Sequence, residues 1–124
     1  AGHLDPGESP VDACVREVLE ETAYDFTPSA LVGVYLNRFR RTRTGDDITY
    51  LRFVFTGQLG EHHAWRDLDD GIVRAVWLTP DELRSSSTRH RSPLVLQSVN
   101  DYLAGQRAPL GLIHTDASVL QAPL

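Results

Sequence analysis

A chain of 124 residues with 41% apolar and 23% charged side chains can build one hydrophobic core and lacks the bias of a disordered or membrane-embedded protein. Its net charge of −5 argues against general binding to nucleic acid or to an anionic membrane, which requires a basic surface. A lone cysteine excludes an internal disulfide and a cysteine-built zinc centre, no signal peptide or membrane-spanning run is visible, and the expected compartment is the reducing cytoplasm.

The first element is a helix. Ser9 is a good N-cap, Pro10 suits the first helical position and Asp12 sits where a capping box would place its acid, so the helix starts near residue 10 and ends at 22–24. At about 100° per residue, Val11, Cys14, Val15, Val18 and Thr22 form one stripe and Glu17, Glu20 and Glu21 an adjoining one. Such closely spaced glutamates repel by a few tenths of a kcal/mol per pair, and Arg16 offers one positive charge against three negative ones. A solvated acidic face is the ordinary meaning of a glutamate run; the alternative is a hard divalent cation, which takes carboxylate oxygens, waters and substrate phosphates.

Beyond the helix, "LVGVYLN" (31–37) and "ITYLRFVFTGQL" (48–59) read as strands of a hairpin joined by "RFRRTRTGDD", and "IVRAVWL" (72–78) as a further strand. Thr79-Pro80-Asp81-Glu82 starts a short helix, Ser92-Pro93 opens another that stops at Gly105, and Leu110, Leu112 and Ile113 form a closing strap. Cys14 and Trp77 are expected in the core, and His62, His63, His90 and His114, without partners at useful spacing, on the surface. Arg38, Arg40, Arg41 and Arg43 read as a solvated hairpin tip. Asp67, Asp69 and Asp70 are either ordinary loop acids or a further metal ligand or base. Three candidates for substrate binding each have a plainer explanation: His3 as a loop residue, Arg52 as an exposed edge-strand residue, and Arg91, beside Ser92, as part of a helix cap.

The spacing across the helix is more specific than the glutamates alone. Gly2, five residues, Glu8, seven residues, then Arg16-Glu17-Val18-Leu19-Glu20-Glu21-Thr22-Ala23-Tyr24 resembles the Nudix box, G-x5-E-x7-R-E-U-x-E-E-x-G-U with U apolar. Average residue usage would produce such a match on the order of once in a hundred million starting positions. One letter departs: Ala23 stands where the box has glycine, a replacement that costs on the order of 1 kcal/mol if the position is left-handed.

The resemblance implies a metal-dependent hydrolase of small-molecule diphosphates with a Nudix-type α/β/α sandwich and a mixed sheet. Carried over position by position, Glu17, Glu20 and Glu21 look like the ligands of Mg²⁺ or Mn²⁺, with the carbonyl of Gly2 a further one. Arg16 would orient the glutamates and Glu8 would support it; the general base is either Glu17 or a later acid. "AGHLDPGES" (1–9), "TYLRFVF" (49–55) and "RSPLVLQSVNDYLAGQRAPLGLI" (91–113) are similar to NudJ-type phosphatases, which implies thiamine pyrophosphate, its pyrimidine precursor diphosphate or nucleoside di- and triphosphates as substrates. A catalytically silent binding module of the same fold is the alternative. The family places strands ahead of the box, so residues 1–124 are expected to be a single Nudix domain lacking its N-terminal strands, with Ala1 cut off beside the metal site and apolar surface uncovered.

Overall fold

Helix α1 spans Pro10–Thr22: the Ser9 hydroxyl accepts the Asp12 amide at 3.1 Å and Pro10 supplies a preset φ where no amide donor is needed. The computed structural model describes residues 2–121, so the expectation for Ala1 lies outside the described residues. Strand β1 (Tyr24–Arg40) follows the helix directly, β2 (Asp47–His62) returns beside it, and the short helices α2 (Pro80–Ser85) and α3 (Leu94–Leu103) come later. The expected α/β class is present; among the described residues the sheet contains two strands. Their register is marked by the Arg38–Asp47 ion pair near the tip and by the close approach of Gly57 to Pro28.

The chain divides into two compact units, one taking the residues up to Ala30, Phe55–Trp77 and those from Pro109, the other Leu31–Val54 and Leu78–Ala108. In the first, the amide of His63 donates to the Ala23 carbonyl at 2.8 Å and that of Asp69 to the Glu20 carbonyl at 2.9 Å. The loop after β2 thereby satisfies carbonyls that the last turn of α1 leaves without helical partners. Ala13 is the buried residue of α1; Val11, Cys14, Val15 and Val18 are only half-buried. Burial pushes the Cys14 thiol up, which suits packing rather than reactivity.

In the second unit, Leu31 and Val32 are buried and Leu31 exchanges two backbone hydrogen bonds with Ala108, at 2.9 and 2.7 Å. Tyr35 donates to Asp101 of α3 at 2.7 Å and Gln106 to the Val32 carbonyl at 2.8 Å. α2 has a complete capping box between Thr79 and Glu82, and the Ser92 hydroxyl accepts the Leu94 amide at the start of α3.

Three expectations are corrected. Residues 72–78 form no strand, because an apolar run becomes one only with a ladder to join; Val73 is 93% exposed. Trp77 is not in the core: it is 74% exposed and meets Tyr24 edge to face at 6.2 Å. His62 and His63 do have partners, Tyr24 stacked at 4.4 Å and Asp25 at 3.0 Å respectively. The segment expected to form a closing strap contains a 3₁₀ turn, Leu110–Leu112, whose Leu112 is exposed. Leu36, Leu51 and Trp65 are among the exposed apolar side chains.

Gly57 provides a test of the strand pairing. A side chain there would overlap the carbonyl of Thr27 and the Cα of Pro28, backbone atoms that cannot swing aside, whereas Gly111 faces open space. Gly57→Ala should cost about 2 kcal/mol or more in urea unfolding, and Gly111→Ala should stay within about 0.5 kcal/mol.

Candidate active site

Glu8, Glu17 and Glu20 of the box meet around the Arg16 guanidinium. Side chains on a helix lean toward its N-terminus, so Arg16 reaches back over the first turns of α1 to the loop that precedes them. That loop turns at Asp5-Pro6-Gly7, where Gly7 has φ 87° and the Glu8 amide returns to the Asp5 carbonyl at 3.4 Å. Glu8 is thereby presented to Arg16 as a two-oxygen acceptor, with Nε to Oε2 at 3.1 Å and Nη2 to Oε1 at 2.7 Å. Nη2 also donates to the His3 carbonyl at 2.9 Å. Nη1 points down the helix, to Glu17 Oε1 at 2.7 Å and Glu20 Oε2 at 3.1 Å.

Asp5 joins this cluster at 3.4 Å from Arg16 Nε, a contact the sequence reading missed. The Asp-Pro-Gly turn was its visible signal, since it folds the loop back within reach of the helix. Four carboxylates thus surround one guanidinium. Glu8 foremost, then Glu17 and Asp5, raise the Arg16 pKa, and Arg16, together with the Asp5 amide at 2.7 Å, holds the Glu8 carboxyl below the usual carboxylate range. Excess negative charge remains, in the half of α1 where the helix dipole is itself negative and whose last turn has no basic residue.

The oxygen donors fit a hard cation. Arg16 takes one oxygen from Glu17 and one from Glu20 and does not use the other of each, and Glu21 is half-buried on the same helix. Gly2 lies so close to Glu17 that an added Cβ would overlap the carboxylate where it now sits, and the acid would have to swing away. The structure therefore brings together Gly2, Glu8, Arg16, Glu17 and Glu20, with exposed His3 in the same loop. Arg52 and Arg91 belong to the other unit. There Arg52 bonds Asn37 at 3.1 Å and lies over the Tyr50 ring at 5.0 Å, while Arg91, His90 and Ser92 line a cavity at the start of α3. Arg52 thus has the partner that a half-covered charge requires.

Ala23, the departure from the box, occupies the left-handed conformation at the end of α1, with φ 63° and ψ 18°, and is 2% exposed. The strain stays at the turn: its amide still closes onto the Leu19 carbonyl at 2.9 Å.

The comparisons with known proteins agree with this geometry. The NUDIX domain profile matches residues 1–98. The chain belongs to the Nudix family. Phosphatase NudJ of Escherichia coli K12 is 34% identical over 113 residues, covering 91% of this chain and 70% of the relative, and the protein of that name from Shigella flexneri matches equally. A solved NUDIX hydrolase from Nitrosomonas europaea is 48% identical and superposes with a TM-score of 0.83, covering 93% of this chain and 75% of that one. The fold is thus the Nudix α/β fold and the protein a Nudix pyrophosphohydrolase, in a family that acts on small-molecule diphosphates.

The Glu8–Arg16 fork makes Nudix-box stability depend on pH. Because the folded-state pKa of Glu8 is depressed, its contribution is present above the unfolded value near 4.5 and is lost as pH falls through the folded one. Urea midpoints measured from pH 7 to pH 3 should show Glu8→Gln less stable than the parent at neutral pH, with the difference shrinking toward the acid end. A constant difference would show that the fork's charge does not matter.

Proposed function

We propose that this enzyme hydrolyses a diphosphate ester of a small molecule by attack of water on phosphorus, with Glu17, Glu20, Glu21 and the Gly2 carbonyl as ligands of Mg²⁺ or Mn²⁺. The observation carrying this reading is the clamp of Arg16 on Glu8, Glu17 and Glu20, with Gly2 packed against Glu17. When bound, such a cation polarises the phosphoryl oxygens and favours ionisation of the attacking water. Arg16 fixes the rotamers of Glu17 and Glu20 before substrate arrives, so orientation is not lost from the binding energy. Glu17 serves as a candidate general base; the alternative lies in the loop 67–70, which the Asp69 amide ties to the end of α1.

The resemblance to NudJ-type phosphatases supports thiamine-type diphosphates as preferred substrates and a cytoplasmic setting, and the described residues contain no helix long and apolar enough to cross a membrane. His3, beside Gly2 in an exposed loop, is the candidate for contact with substrate, and Arg52 and Arg91 are carried as substrate-binding candidates on the sequence pattern.

Glu20→Gln and Glu21→Gln should each lower kcat/KM by at least about a hundredfold, because even residues that only support metal ligands are worth ten- to a hundredfold. Arg16→Lys, which keeps the charge and loses the fork, should fall within about ten- to a hundredfold. Phosphate release should stop in excess chelator, and thiamine pyrophosphate should be cleaved faster than ADP-ribose. Normal turnover in both glutamate variants would overturn the ligand assignment; a wide preference for ADP-ribose would overturn the substrate class alone.

A further inference from the structure

We propose that Asp25, Glu61 and His63 form a second cation site, separate from the box glutamates and suited to a first-row transition metal such as Zn²⁺. Asp25 is near the start of β1, Glu61 near the end of β2, and His63 just beyond it. Each offers one ligand atom, and the three atoms all lie within 4.8 Å of one another. Zinc bonds of about 2.1 Å need ligand atoms about 3–4 Å apart, so small side-chain rotations bring this set into range. His63 Nε2 is already 3.0 Å from Asp25 Oδ2.

The position is built by the backbone. The His63 amide is fixed to the Ala23 carbonyl at 2.8 Å, and the His63 carbonyl accepts the Arg66 amide at 2.9 Å, so the half-buried imidazole projects from a chain tied on both sides. Trp65 meets its ring edge to face at 6.0 Å. Opposite, Gly60 keeps the neighbouring strand close to Asp25, where an added Cβ would sit 3.2 Å from the aspartate Cβ.

Donor chemistry separates this site from the box. The box offers oxygens only and suits a hard cation, whereas an imidazole with two carboxylates suits zinc, nickel or copper. Asp25 and Glu61 are exposed, so water would complete the coordination and the ion would exchange with solvent. Occupancy would add to the link between the exit of the box helix and the end of β2, which the His63–Ala23 hydrogen bond, the His63–Asp25 contact and the Tyr24–His62 stack already make.

The test is calorimetric titration with Zn²⁺ in saturating Mg²⁺, comparing the parent protein with His63→Gln, Glu61→Gln and Glu21→Gln. The parent should bind Zn²⁺, His63→Gln should weaken that binding at least about tenfold, Glu61→Gln should weaken it severalfold, and Glu21→Gln should leave it unchanged. Mg²⁺-dependent turnover of His63→Gln without zinc should stay within about twofold of the parent, which separates this site from the proposed catalytic one. Unchanged zinc affinity in His63→Gln, or its loss in Glu21→Gln instead, overturns the proposal. If circular dichroism shows His63→Gln to be unfolded, Glu61→Gln decides: its side chain is exposed, and unchanged affinity there overturns the proposal as well.

Discussion

The Arg16 guanidinium is the constraint on which the Nudix-box region depends. It satisfies Glu8 through a paired fork, holds Glu17 and Glu20 from its remaining nitrogen, and fastens the His3 carbonyl to the same assembly. Without it the acids would repel one another and the loop of residues 2–8 would lose the ion pairs and the hydrogen bond that Arg16 gives it. With it they are held in place but not neutralised. One charge cannot cancel the carboxylates it touches, and the helix dipole adds to the deficit, so the arrangement is ordered and keeps a surplus of negative charge.

A second constraint sits at Ala23. Its left-handed conformation ends α1 abruptly and lets β1 begin at the next residue, while its carbonyl receives the amide of His63. Glycine would adopt this conformation without the penalty of about 1 kcal/mol, but Ala23 as a residue is 2% exposed and burial of a methyl recovers a comparable amount, about 0.8 kcal/mol. The near balance explains how the box tolerates its one departure without disturbing the glutamates upstream.

Local chemistry was legible in the sequence and long-range contact was not. The starts of α1 and α2 rest on interactions within a few residues, and each is where its signal placed it. The beginning of β1 at Tyr24 was hidden by Pro28, which argues against a paired strand until Gly57 is seen to give the neighbouring strand room. Residues 72–78 erred the other way: their composition suits a strand, but pairing is a property of two segments. His63 and Asp25 are separated by most of the hairpin, so spacing along the chain could not connect them.

The box itself owes its legibility to geometry that spacing encodes directly. Glu8 precedes the N-cap, and Arg16 lies about two turns into the helix, where a side chain leaning toward the N-terminus can reach back to it. One residue more or less between them would turn Arg16 by about 100° and carry its fork off Glu8. Four further residues return the chain to the same side of the helix, which brings Glu20 to Arg16, and the Asp-Pro-Gly turn sets how far before Glu8 the loop doubles back, which brings Gly2 against Glu17. The intervals of the motif are therefore the lengths of a turn and of helical steps: the Asp-Pro-Gly turn sets the first, and along α1 the helical rise, not the identity of the intervening side chains, sets the second.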